Sequence, residues 1–161
     1  MTSVLRLLGL LCVVTFGLTA AAAEFSPTQL RDFPQSRLSL VHGKVSTEVM
    51  IWVADTPQRQ QQGLMFLTEL PPGYGMLFPL EAPRVMSMWM KNTYVSLDMV
   101  FIGADHRIRH IAQDTTPLST DIISSGVPIT AVLEIRAGEA RRLGLRDGDE
   151  VVLARAAAAT P

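Results

Sequence analysis

Near the middle of the chain, Met86-Ser87-Met88-Trp89-Met90-Lys91-Asn92-Thr93 runs on into Leu97-Asp98-Met99 and concentrates most of its unusual chemistry. Lys91, Asn92 and Asp98 bring together an amino group, an amide and a carboxylate. With the face of Trp89 beside them, such groups can hold a polar ligand such as a sugar or a peptide end. The same residues also have a purely architectural use. If two strands meet at Thr93–Ser96, Lys91 faces Asp98 as a cross-strand ion pair. Breaking such a pair where it is partly buried costs about 3–5 kcal/mol. No histidine or cysteine accompanies the three, so a nucleophile–base arrangement is not indicated.

Two other chemistries are open to this stretch. Met86, Met88 and Met90 recur at every second position, which puts three thioethers on one face of a strand. Soft sulfur donors suit Cu(I). Methionine is also an adaptable core filler, and because spacing cannot show the convergent geometry a metal needs, core packing is favoured and no metal or other cofactor is assigned. His42, His106 and His110 are dispersed rather than set at metal-ligand spacing. The alternative to binding is hydrolysis of cell-envelope sugars or peptides by Asp98 with a second carboxylate, Glu134 or Asp114. Such pairs work across a cleft at separations of about 5–10 Å. Trp52 is a second aromatic that can stack on a sugar or fill a core.

Several elements must position these groups. Val45, Thr47, Val49, Ile51 and Val53 alternate with Ser46, Glu48, Met50 and Trp52, the pattern of a half-buried strand. Leu38–Val41 and the turn-like His42-Gly43 precede it, which predicts a hairpin. Asp55-Thr56-Pro57 predicts the start of a short helix over Gln58–Met65, weakened by Gly63. Met76-Leu77-Phe78 begins an extended piece that Pro79 and Pro83 would confine to a short or edge strand. Arg107–Ile111 and Ala131–Ile135 read as further strands. The long polar segment Gln113–Pro128, with Asp114, Thr115, Ser119 and Asp121, reads as a solvated loop covering one face or end. Gly138–Leu143 predicts a second short helix stopped by Gly144, and Glu150–Ala154 a closing strand. The expected fold is α+β and predominantly β. It is a compact, barrel-like domain of seven or eight short strands with two short helices.

Composition narrows the setting. The chain has 161 residues, enough for one domain, and its 48% hydrophobic and 18% charged residues describe a core-forming chain. With 14 basic and 15 acidic residues and no basic cluster, nucleic acid is excluded as the main partner. Arg6, the uncharged run Leu7–Ala23 and the small residues before Glu24 make a secretory signal peptide over residues 1–23. The protein is therefore expected to be exported, periplasmic or extracellular, without a stable membrane anchor after cleavage. Cys12, the only cysteine, lies inside that run and follows Leu11 rather than the small residue a lipidated cysteine needs. The mature chain then lacks thiols, and packing alone must hold it in an oxidising compartment. Residues 24–37 read as an arm, 38–155 as the domain and 156–161 as a tail.

The order of motifs carries a resemblance. Gln62-Gly63-Leu64-Met65, Gly75-Met76-Leu77-Phe78, Trp89-Met90-Lys91-Asn92-Thr93, Leu97-Asp98-Met99, Val132-Leu133-Glu134-Ile135, Gly138 and Gly148-Asp149 follow one another from Leu38 to Ala154. Together they resemble the domain of unknown function family 192. The chain departs from that pattern at Phe66, where a basic residue is common, and at Ser96, where proline is common. The long loop also has none of the cysteines that some members carry. The resemblance implies an exported protein with a small β-rich barrel and no established activity. The reading that results is a non-catalytic exported domain that binds a small polar ligand or an envelope protein at Lys91, Asn92, Asp98 and Trp89.

Overall fold

The alternation along Val45–Val53 builds the first framework of the domain. In the computed structural model, which describes residues 25–153, β1 (Gln35–His42) and β2 (Val45–Val53) form an antiparallel hairpin. His42 faces Val45 across Gly43-Lys44, and Gly43 supplies the left-handed backbone that so tight a turn needs. The signal-like segment and the tail lie outside the described residues. The arm does not stand apart from the domain, because Leu30 and Phe33 are buried in its core.

Helix α1 (Pro57–Gln62) starts as its sequence dictates. Thr56 Oγ1 accepts from the Arg59 N–H, Pro57 opens the first turn, and Gly63 ends the helix with φ +50°. Strand β3 (Tyr74–Arg84) follows, then the two-residue β4 (Ser87–Met88), β5 (Leu97–Ile102) and β6 (Ile108–Ala112). The two-residue β7 (Ile123–Ser124), β8 (Ile129–Arg136), α2 (Glu139–Leu143) and β9 (Glu150–Leu153) complete the chain. Among the described residues no helix is long and apolar enough to cross a membrane.

Seven strands form one sheet in the order β6-β5-β8-β3-β2-β1-β9, antiparallel except for β2–β3. The sheet curls until its edges touch. Ile108 N donates to Asp149 O at 2.9 Å, Val151 N donates to His106 O at 2.8 Å, and Arg107 bridges Glu150. Closure at this end removes two unpaired edges. β4 and β7 form a separate small sheet.

The strand containing Pro79 is not an edge. β3 lies between β8 and β2, at the centre of the sheet, which overturns the expectation from its prolines. Its pairing with β2 stops at Leu77 and its register with β8 shifts between Pro79 and Arg84. Pro79 therefore sits where β3 has already left β2 and no ladder needs its missing N–H.

The curl creates two apolar layers. All seven strands of the sheet send residues to the inner one, among them Leu38, Ile51, Leu77, Val100, Ile108, Leu133 and Val151, and Ala140 and Leu145 close it. The outer layer sets Trp52, Met76, Phe78, Met99, Phe101 and Val132 beneath Leu30, Phe33, Leu64, Leu67 and Met90. β5 and β8 are thus covered on both faces, and every residue of β5 is buried.

Candidate functional site

The stretch with the most chemistry does not form a hairpin with β5. β4 pairs instead with β7 inside the long loop, Ser87 opposite Ser124 and Met88 opposite Ile123. The loop is laced along the whole segment. Ser125 N donates to Met86 O, Met90 N to Ser119 O, and Leu118 N to Thr93 O. Between these ties Met90–Thr93 makes a tight turn closed by Thr93 N donating to Met90 O at 3.0 Å. Asn92 occupies its left-handed position with φ +58°, a conformation asparagine tolerates.

This arrangement separates the residues that the sequence grouped. Asp98 is wholly buried and faces the inner layer. Its Oδ1 accepts from Asp114 N and its Oδ2 from Ala140 N, both at 2.9 Å. Gly138, at the N-cap of α2, has no side chain with which to cap, and Asp98 supplies the missing acceptor from across the fold. The expected pairing of Lys91 with Asp98 is not made. Lys91 is exposed, and among the described residues it forms no ion pair.

The two-carboxylate arrangement expected for a hydrolase is also absent. Asp98 stands opposite Ile135, while Glu134 stands opposite Met99. Cross-strand partners point to the same side, so Asp98 and Glu134 point to opposite sides of the sheet. Asp114 meets Asp98 through its backbone N–H, and its own carboxylate pairs with Arg141 at the surface, 3.1 Å away. Among the described residues, Asp98 lines none of the main clefts, so these acids share no substrate site there.

Glu134 is the residue that gains importance. It lies in the interior strand β8 between Met76 of β3 and Met99 of β5, and only 5% of it is exposed. Burial alone pushes its carboxyl up to about 8, with no hydrogen bond or neighbouring charge to offset the loss of water. Yet no buried side-chain oxygen or nitrogen among the described residues is left wholly sealed without a partner. Glu134 meets that condition by forming the floor of a cleft of about 120 Å³.

Met65, Met86, Met88, Trp89 and Lys91 surround that floor, with Phe78 behind them. The end of α1 forms one wall, and Gly63 lets it approach, because a Cβ there would come within 3.3 Å of the Phe78 ring. β4 and the Met90–Thr93 turn form the other wall. Asn92 joins the two walls, its Nδ2 donating to the Met65 sulfur at 3.8 Å and its carbonyl accepting from Phe66 N at 2.9 Å. At neutral pH the Glu134 carboxyl is protonated and can both donate and accept. Lys91 adds a cation at the rim, and Trp89, 53% exposed, adds an aromatic face.

Other sequence candidates lie elsewhere. Met90 is buried on the far side of the turn with its sulfur 3.2 Å from Thr115 Oγ1, so the three regularly spaced methionines do not converge. Trp52 is buried and stacked on Tyr74, its ring centroid 5.7 Å away. His42 pairs with Asp149 and His110 stacks on Phe101, both away from the cleft. The sequence offers Glu134 only as a partner for Asp98 and Met65 only within a family motif, whereas the fold brings the two to one cleft. Glu134 is an acid inside an otherwise apolar strand, and Met65 closes a motif that precedes an unexpected Phe66.

Residues 39–153 match a family described as Uncharacterized ACR, the domain of unknown function family 192. The chain is similar to a proposed transcription regulator from Sinorhizobium meliloti 1021 of known structure. The two are 38% identical with a TM-score of 0.73, over 75% of this chain and 95% of that one. It is likewise similar to a protein of unknown function from Novosphingobium aromaticivorans DSM 12444, 34% identical with a TM-score of 0.74, over 82% and 93% of the two chains. No curated protein matches it. Four of the segments that carry the resemblance, Gln62–Met65, Gly75–Phe78, Trp89–Thr93 and Val132–Ile135, each contribute to the cleft over Glu134.

Proposed function

The chain belongs to the domain of unknown function family 192, and from that premise we propose that it is an exported, non-catalytic binding domain. Its ligand enters the cleft over Glu134. One observation carries this reading: a buried carboxyl without a partner among the described residues forms the floor of a cleft built from four separate chain segments. Holding an ionisable group there costs folding free energy, about 3 kcal/mol at pH 7 from the displaced titration. Retaining a group at that cost is explained by a use in binding. Binding is favoured over hydrolysis because Asp98, the acid that would have to work with Glu134, is on the other side of the sheet.

The test is a resonance-resolved titration with small amides, sugars and short peptides. A ligand of this cleft shifts the amide signals of Lys91, Trp89 and Glu134 together, and Glu134→Leu abolishes the response. Shifts confined to other surfaces, or unaltered in the variant, would refute the assignment. Export rests on residues 1–23; a mature N-terminus near Glu24 in the periplasmic or extracellular fraction supports it, and full-length protein in the cytoplasm opposes it. A second reading, docking of an envelope protein at the rim, draws on the exposed side chains of Phe66, Trp89, Tyr94 and Leu118. Co-purification lost on Phe66→Ser with Tyr94→Ser would distinguish it.

A further inference from the structure

Resting on the reading of this cleft as the binding site, we infer that it takes a soft monovalent metal ion, Cu(I), through the thioethers of Met65, Met86 and Met88. The regular spacing at Met86, Met88 and Met90 suggested a sulfur site, but the fold assembles a different trio. Met90 leaves the set, and Met65 joins it from the opposite wall. The three that line the cleft differ from the methionines that merely fill core. Met76, Met90 and Met99 are at most 1% exposed, whereas Met65, Met86 and Met88 are only partly buried.

The donors are held rather than loose. Met88 lies on β4, which is fixed by its ladder to β7, and Met86 just before it is held by its N–H donating to Ser125 Oγ at 3.0 Å. Met65 is oriented by the amide of Asn92, which occupies one sulfur lone pair and leaves the other. Such support lowers the cost of gathering ligands. The chemistry is selective, because neutral thioethers without imidazole or thiolate suit Cu(I) and serve Zn(II) or Cu(II) poorly. Among the described residues no group of three or more histidine, cysteine, aspartate or glutamate side chains offers a harder site. Glu134 beneath the sulfurs can contribute an oxygen, and the exposed ring of Trp89 at the edge offers a π face to a cation. Thioethers, unlike thiols, do not form disulfides, so such a site persists outside the cytoplasm.

The test is an anaerobic competition of the purified protein against Cu(I)–bicinchoninate, with Ag(I) as a redox-inert check on Trp89 fluorescence. The expected result is uptake of one equivalent of each ion. Met65→Leu, Met86→Leu and Met88→Leu, which conserve volume, each weaken uptake at least tenfold. Met50→Leu, away from the cleft, leaves it unchanged. If the Met86→Leu/Met88→Leu protein does not fold by circular dichroism, the Met65→Leu result decides. Absence of one-to-one uptake by the wild type, or uptake unaltered by Met65→Leu, would overturn the inference. Should metal fail while amides or sugars still shift Glu134 and Lys91, the metal is wrong and the binding cleft stands. Should neither bind, both fall.

Discussion

Asp98 and Glu134 occupy adjacent strands one register step apart, yet the sheet lies between their carboxyl groups. One acid looks inward and is fully engaged by backbone N–H groups. The other looks outward, has no hydrogen-bond partner among the described residues, and meets a cleft. Two acids that sequence alone allows to cooperate are therefore given opposite tasks, one in architecture and one at the proposed site.

For Asp98 the consequence is loss of stability. Asp98→Ala leaves the Ala140 and Asp114 N–H groups without their acceptor and removes the side-chain cap that Asp98 supplies to α2. Hydrogen bonds to a charged acceptor are worth about 1.5–3 kcal/mol each, so a loss of about 3 kcal/mol or more is expected. Urea unfolding monitored by circular dichroism measures it. Asp98→Asn, which keeps one acceptor oxygen, should lose less.

For Glu134 the consequence depends on pH. Its folded value of about 8 lies above the ordinary 4.5, so the native state binds the proton more tightly than the unfolded chain. Stability is then fullest below about pH 4.5 and falls as pH rises, until it levels off above about 8 with a total loss of about 5 kcal/mol. Glu134→Gln removes this titration. The variant should match the wild type near pH 5 and exceed it by several kcal/mol at pH 9, compared by urea midpoints across that range.

The turn beside the cleft is set by Asn92. Asn92→Gly keeps the left-handed backbone and should change stability little. Asn92→Ala places an unsuited residue at φ +58° and should cost about 1–2 kcal/mol. Thermal unfolding of the two variants side by side separates backbone strain from loss of the side chain's contact with Met65.

Lys91 is exposed and unpaired among the described residues, so Lys91→Ala should leave stability within about 0.5 kcal/mol. Ligand affinity is where its loss should register, for any ligand that carries an anionic group. A variant with unchanged melting and unchanged affinity for such ligands would remove Lys91 from the site.

Local chemistry made some of this structure legible in advance. Alternation at Val45–Val53, the Thr56-Pro57 helix start and the Gly144 stop each follow from the preferences of a few adjacent residues, and each is found. The partner of β4 was not legible, because Ser87–Met88 pairs with residues more than thirty positions away. Facing was hidden for a different reason. β5 is buried on both sides, so its apolar run carries no alternation to say which way Asp98 points. Glu134 was visible as an acid and a potential second carboxylate, but its isolation depends on neighbours from β3 and β5 that only the folded sheet brings together.

The most direct test of the cleft is the spectrum of protein labelled with 13C at the methionine methyl groups, followed during an Ag(I) titration. The signals of Met65, Met86 and Met88 are expected to shift and saturate at one equivalent, while those of Met76 and Met99 stay in place. No shift in those three, or equal shifts across all the methionines, would contradict that expectation.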